Sequence, residues 1–414
     1  MMSDNPKDRV ILHCDCNNFF ASVELLTRPE LRNVPVAVAG DTDSRHGIIL
    51  AKNMPAKKMG IVTAETVWSA KKKCPTLVLL PPHHTLYHRI SQRINQIYLA
   101  YTDQVEPFSV DESFLDVTAS QTLFGDGVTI ADTLRRRVRE EIGITISVGV
   151  SFNKTWAKMG SDYQKPDATT VMDRTTGPKL LFPQKVDNML FVGRSTAQIL
   201  HANGIHTIGD IVKTGEAPLS RLLGKSGSGL WRSASGRDDS PVLQWGTQEE
   251  AKSISHATTF PYDLVGRDAC HEALLSLSNE LGIRLRKAHK KGSTLCIQIK
   301  NPQLQVISRQ TQLPFPTGST DVIFRDACAL FDRSWDSRMP VRLLSVGLSD
   351  LIDENAAFPF QMSLFEEEVQ DDPRRVKLEK TIDELQTRFG ADTISRGKTG
   401  MRYSAKERNP EHPP

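Results

Sequence analysis

HCDCNNFFASVE, residues 13–24, sets Asp15 between Cys14 and Cys16 at the end of the apolar run VILHC and directly before a stretch of helical spacing. Read as a strand, the run alternates faces, so Cys14 and Cys16 share one side and Asp15 takes the other. The cysteines then read as core residues. Thiolate ligation of zinc needs about four soft ligands, and none accompany them nearby. The isolated carboxylate is the residue to follow.

A second acidic feature is SVDES, where Asp111 and Glu112 are neighbours between the apolar strands of QVEPFSVDESFLDVT. Neighbours on a regular strand point to opposite faces, so both address one site only if the backbone is irregular there. Taken singly, an aspartate at a strand end is often a helix cap and a DE pair is often a solvated turn. Apolar strands lead into both positions, and AKNMPAKK and DYQKP supply lysines. Three carboxylates at strand ends repel one another, and divalent cations relieve that cost. Paired ions ~3.5–4 Å apart serve phosphoryl and nucleotidyl transfer.

The 414 residues suffice for several domains, and the net charge of +3 places any polyanion binding on local basic surfaces. Six scattered cysteines without a CxxC pair argue against a disulfide framework and fit a reducing compartment. The polar start MMSDNPKDR and the short run after it match neither a signal peptide nor a membrane span, so a cytoplasmic location with no membrane is expected. Strand-like VPVAVAG, GIILAK and ITISVGVS alternate irregularly with helix-like AETVWSAKKKCP, TLYHRISQRINQIYLAY and VTIADTLRRRVREEIG. The fold class is therefore α+β. From about residue 174 the chain reads as short helices broken by glycines, then RDDSPVLQWGTQEEA as a linker. Residues 253–350 read as a second α+β unit, with strands TLCIQIK, LQVISRQTQL and RLLSVGLSDL. GKS at 224–226 fails as a P-loop, because Leu219 stands where a glycine is required.

HCDCNNFFASVE, NMPAKKMG, EPFSVDESFLDVT, SVGVSFNKTWAKMGSDYQKP and LFVGRSTAQILHANGI, in this order, resemble the Y-family translesion DNA polymerases of the DinB and UmuC branch. The resemblance spans roughly residues 8–350. It implies a right-hand architecture: palm at 1–18 and 84–173, fingers at 19–83, thumb at 174–237, linker at 238–252, little finger at 253–350 and a tail at 351–414. It implies low-fidelity, template-directed transfer of dNTPs to a primer 3′-hydroxyl on primer–template DNA, in DNA damage tolerance and repair.

Carried onto this chain, the resemblance makes Asp15, Asp111 and Glu112 the catalytic metal-binding carboxylates, with the Cys16 backbone carbonyl as a further ligand. The ions implied are two Mg2+ per site, with Mn2+ as an alternative. Phe20 falls at the steric-gate position. Asn18, Phe19, Phe20, Lys57 and Lys165 match triphosphate-binding positions. Met54 and Lys57 stand where many members have tyrosine and arginine, and a lysine lacks the guanidinium fork. Asn17 replaces a common aspartate. The thumb segment resembles a helix-hairpin-helix that meets duplex phosphates through Gly193 and Arg194, with Phe191 in place of the usual first glycine. Arg284, Arg286, Lys287, Lys290 and Lys291 form the little finger's basic stretch. Gln361, Met362, Leu364 and Phe365 match the bacterial sliding-clamp peptide. An accessory protein is implied for a UmuC-like member, and a monomer is expected. A helix over 373–390, with Leu378, Ile382, Leu385 and Phe389 at helical spacing, must pack on its own core or on a partner.

Overall fold

The structure, a computed structural model, describes residues 8–40, 47–247, 250–356, 373–390, 393 and 394. The clamp-like peptide Gln361–Phe365 lies outside the described residues. Two compact units meet near residue 248 in the chain.

The first unit opens with β1 (Ile11–Cys16) and α1 (Phe19–Glu24). Then come β2 (Val36–Ala39), β3 (Ile49–Lys52), α2 (Met54–Lys58), α3 (Val67–Lys73) and β4 (Val78–Leu80). These three strands form their own sheet, in the order β3-β2-β4. Next are α4 (His84–Leu99), β5 (Val105–Pro107), β6 (Glu112–Asp116), α5 (Gln121–Phe124) and α6 (Gly127–Glu141). After them come β7 (Ile146–Ser151), α7 (Lys154–Tyr163) and β8 (Thr169–Met172). The second sheet runs β5-β6-β1-β7-β8, with β1 at its centre.

The alternation of β1 decides what each face does. Leu12, Cys14 and Cys16 pack with Tyr87, Ile90, Ile94 and Ile97 of α4 and with Ile130, Leu134 and Val138 of α6. Each fully buried aliphatic side chain contributes roughly 1.5–3 kcal/mol there. Ile11, His13 and Asp15 face α7: Ile11 packs with Ala157, His13 bonds Ser161 and Asp15 meets Lys158. α7 can lie this close because β7 carries Gly149, where a Cβ would come within 1.9 Å of the Ala157 carbonyl oxygen. Its first turn is capped by the Asn153 side chain, which accepts from the Trp156 amide at 2.8 Å.

Five short helices follow: α8 (Gly177–Leu181), α9 (Arg194–Ala202), α10 (Ile208–Thr214), α11 (Glu216–Leu223) and α12 (Lys225–Ala234). Their core includes Leu200, Ile208, Ile211 and Leu219, together with Trp156 of α7. Phe191, at the turn before α9, takes φ +68°. This is the left-handed conformation natural to the glycine it replaces, so the hairpin turn survives the substitution at a cost of roughly 1–2 kcal/mol.

The stretch read as a linker is a strap over its first half. Val242 is 3% exposed and packs with Ile11, Phe114 and Ala157. The Leu243 amide donates to Glu106 Oε2 at 2.8 Å, and Lys154 holds Glu106 from the other side at 2.6 Å. The polar composition concealed this, because one buried valine and backbone hydrogen bonds carry the attachment.

The second unit comprises β9 (Ser253–Leu264), α13 (Arg267–Lys287), β10 (Lys290–Lys300), β11 (Val306–Thr317), α14 (Thr320–Ser334), β12 (Val341–Asp353) and α15 (Pro373–Phe389). The sheet order is β11-β10-β12-β9, antiparallel throughout, with α13 and α14 packed over Leu295, Ile297, Val346 and Leu348. β9 went unread in the sequence because it is a mostly exposed edge strand that carries Pro261.

α15 does pack on its own unit, though not by the apolar stripe expected. Leu378 is 59% exposed, whereas Glu379 beside it is 5% exposed. Arg286 binds Glu379 Oε2 at 2.9 Å and Asp383 through two bonds at 2.6 and 3.0 Å. Glu379 Oε1 also accepts from the Thr320 amide. Arg375–Asp321 and Lys380–Glu354 pairs flank this contact.

Candidate active site

Asp15 and Glu112 are directly opposed residues of the β1–β6 ladder. Asp111 lies one residue before β6, where the Glu112 carbonyl accepts the Phe108 and Ser109 amides and the Asp111 carbonyl accepts the Cys16 amide at 3.0 Å. This is the irregular backbone that adjacent acidic residues require if they are to address one site. The three carboxylates predicted from separate stretches are thus brought together. Asp15 is only 4% exposed.

Two ammonium groups enter the cluster. Lys158 Nζ lies 3.0 Å from Asp15 Oδ2, 2.8 Å from Glu112 Oε1 and 3.2 Å from Asp162 Oδ2. Lys165 Nζ lies 2.6 Å from Asp15 Oδ2 and 2.6 Å from Asp162 Oδ1. Burial works against both charges, but Asp15 and its neighbours outweigh it and raise both lysines. Asp111 keeps a hydrogen bond from Ser109 at 2.7 Å. Its carboxyl is pushed up by burial and by repulsion from Asp15 and Glu112.

Lys158 and Asp162 were missed by sequence reasoning. The signal was present: Lys158, Ser161, Asp162 and Lys165 follow the i, i+3, i+4, i+7 spacing of one helical face. His13 was missed as well. Its Nδ1 bonds Ser161 Oγ at 2.8 Å and its Nε2 lies 3.6 Å from Glu112 Oε2. Burial, reinforced by Lys158, drives its pKa down to about 3, so the imidazole is neutral at physiological pH.

Phe19 and Phe20 separate as core and edge. Phe19 is buried, whereas Phe20 is half-buried and stacks on Tyr87 at 4.1 Å with 12° between the rings. Tyr87 is itself fixed by a 2.6 Å hydrogen bond to Glu24, which His83 and Arg28 also hold. Asn18 takes φ +52° immediately before α1. The Asn17 side chain donates to Thr145 and accepts from Ser147 on the β7 side. Burial raises the thiols of Cys14 and Cys16 above their ordinary range, as suits residues of the core.

Lys57 is exposed on α2 and is not among the carboxylates; its charge adds to burial in lowering Lys52. Gly193 caps α9 without a side-chain bond, and Arg194 beside it is exposed. In the little finger the basic stretch divides. Arg284 and Lys287 are exposed. Arg286 is turned inward onto Glu379 and Asp383, and Lys290 pairs with Asp353 at 2.8 Å. Arg286 is therefore corrected from a phosphate contact to an internal anchor, and Lys290 is engaged too. Lys291 is half-buried. Ile49 of β3 is fully buried, whereas Ile48 and Leu50 beside it keep exposed surface.

The donor set suits hard divalent ions, being oxygen-only, anionic and crowded enough to lift Asp111. Among the described residues, no three acidic, histidine or cysteine side chains are gathered tightly enough to hold an ion as they stand. Lys158 and Lys165 pair with Asp15, Glu112 and Asp162.

Family models match two stretches: the impB/mucB/samB family at residues 14–162 and its C-terminal domain at 251–364. The chain belongs to this family of Y-family DNA polymerases. It is 45% identical to a DNA polymerase IV of Acetivibrio thermocellus, over 94% of this chain and 97% of that protein. It is 34% identical to DNA polymerase IV 1 of Bacillus subtilis, over 97% and 95%. A solved Y-family DNA polymerase chimera matches the fold with a TM-score of 0.73 at 24% identity, covering 83% of this chain and 99% of that one. The family's C-terminal domain covers helix α13, which carries Arg286, and its first domain covers Asp15, Asp111, Glu112 and Asp162. Among the described residues no helix is long and apolar enough to cross a membrane.

Proposed function

We propose that this polymerase adds deoxynucleotides to a primer 3′-hydroxyl at the Asp15, Asp111 and Glu112 cluster, with two Mg2+ ions as the metals. The observation that carries the reading is the direct opposition of Asp15 and Glu112, with Asp111 tied to the Cys16 amide beside them. When bound, the ions supply a lowered pKa for the 3′-hydroxyl and charge neutralisation at the leaving pyrophosphate.

The chain's own residues do the rest. Asp15, Asp111, Glu112 and the Cys16 carbonyl would hold the ions, and Lys158 bridges Asp15 and Glu112. Lys165 reaches Asp15 from the residue just before Pro166 and is the cation that a triphosphate would draw over. Lys57 and the amides of Asn18, Phe19 and Phe20 give further phosphate contacts. Phe20, held flat by Tyr87, sits as the steric gate that rejects a ribose 2′-hydroxyl. Gly193, Arg194, Arg284 and Lys287 hold primer–template DNA through phosphates without reading sequence. The peptide Gln361–Phe365 tethers the enzyme to a sliding clamp, raising its local concentration at primer ends.

Primer extension tests this. Asp111→Ala and Glu112→Ala should each abolish extension while leaving DNA binding intact, and Phe20→Ala should admit ribonucleotides. Extension at wild-type rate by either carboxylate variant would refute the assignment.

A further inference from the structure

On α3, Val67 and Ala70 are buried against the fingers core, as is Cys74 just after it. That packing turns Trp68, Lys71 and Lys72 outward at i, i+3 and i+4. Trp68 is 74% exposed. Lys72 lies over its ring, 5.4 Å from the centroid. The helix is held firmly: Thr66 caps its first turn, and Lys73 is tied to Glu65 at 2.8 Å and to the Gly60 carbonyl at 3.0 Å. Among the described residues neither Lys71 nor Lys72 has a carboxylate partner, unlike Lys73.

A lone surface tryptophan needs no explanation. A rigidly mounted one with two uncompensated ammonium groups within a helical turn carries the two elements of single-strand recognition, a flat stacking surface and phosphate-seeking charge. Bases inside a duplex have no free faces to stack on, so an occupant along a strand must be unpaired. We propose that the Trp68, Lys71 and Lys72 face of α3 is a stacking platform for the single-stranded template ahead of the primer terminus. The inference rests on the polymerase reading, whose substrate supplies that strand.

The test is binding of the protein, measured by fluorescence anisotropy, to a labelled blunt duplex and to a labelled primer–template with about ten unpaired template nucleotides. Trp68→Ala should weaken binding to the overhang substrate about ten-fold and leave the blunt duplex unchanged. Trp68→Phe should restore most of the loss and Trp68→Leu should not, which separates stacking from mere apolar contact. The double change Lys71→Ser and Lys72→Ser should lower the salt dependence of overhang binding by about 1.4, at ~0.7 per phosphate contact on a single strand. Thermal midpoints should not move, because all three side chains are exposed. Equal overhang affinity of wild type and Trp68→Ala overturns the proposal and leaves the face to a protein partner. An equal loss on both substrates overturns it too. Failure of the wild-type protein to bind either DNA would count against the polymerase reading instead.

Discussion

In the first unit, Lys158 and Lys165 stand among Asp15, Glu112 and Asp162, with Asp111 alongside; in the second, Arg286 stands between Glu379 and Asp383. Both are partly or wholly withdrawn from water and join distant stretches of chain. They differ in how completely the charges are answered. Arg286 spends its planar fork on two carboxylates, and the Thr320 amide takes the remaining Glu379 oxygen. The first cluster sets four carboxylates against two ammonium groups and leaves Asp111 with a serine hydroxyl. Every carboxylate oxygen of Glu379 and Asp383 has a donor, which makes an anchor. Asp111 has only a neutral hydroxyl and is repelled by its acidic neighbours, which leaves room for added cations.

The widest separation between the two should come from removing one charged partner in each. Glu112→Ala should cut extension by at least ~10³-fold, roughly 4 kcal/mol in barrier, with no loss of thermal stability, as steady-state kinetics and calorimetry would read. Arg286→Met should do the reverse. Leaving Glu379 and Asp383 buried without their cation costs about 3 kcal/mol, so α15 should lose its protection from amide exchange while short-primer extension persists. A loss of extension in that variant would mean the anchor reaches the chemistry and would erase the contrast.

A third substitution probes how the first cluster is assembled. Gly149→Ala places a methyl against the Ala157 carbonyl and must push α7 off the sheet. The expected cost is about 3 kcal/mol of stability, with a parallel loss of activity as Lys158 withdraws from Asp15.

How much of this was legible beforehand differs between the two clusters for the same reason. Asp15, Asp111 and Glu112 are announced locally by apolar strands that end in acid, and the alternation of β1 assigns the cysteines to the core. Lys158 and Asp162 were also written locally, as a helical face in KMGSDYQK, and were passed over in favour of Lys165. Arg286 could not be read correctly, because its partners lie 93 and 97 residues further on. A basic run looks like a DNA surface until those partners are known. The same distance hid the main attachment of α15, where Glu379 and Asp383 meet Arg286. Ile382 and Leu385 of its apolar stripe are only half-buried, and Leu378 and Phe389 are exposed. Val242 belongs with these, since one apolar residue in a polar stretch has no period to betray it.

The smallest expected effect concerns pH. Burial and the neighbouring Asp15 and Glu112 hold the Asp111 carboxyl above its ordinary value, so the folded protein binds that proton more tightly than the unfolded chain. This contribution favours folding fully below about pH 3.9 and is lost as pH rises through the raised value, leaving an ionised and repelled Asp111 at neutral pH. Asp111→Asn should therefore stabilise the metal-free protein at pH 7 by on the order of 1 kcal/mol, with the advantage vanishing near pH 3. A stability loss at pH 7 would show that Asp111 is better paired than the geometry indicates.

The central claim is that the three carboxylates hold a pair of divalent ions. It is tested most directly by counting Mn2+ by electron paramagnetic resonance in complexes assembled on a dideoxy-terminated primer with the next nucleotide. Two ions per wild-type complex and no more than one in Asp111→Asn is the predicted result. Two ions in both proteins, or none in the wild type, would contradict it.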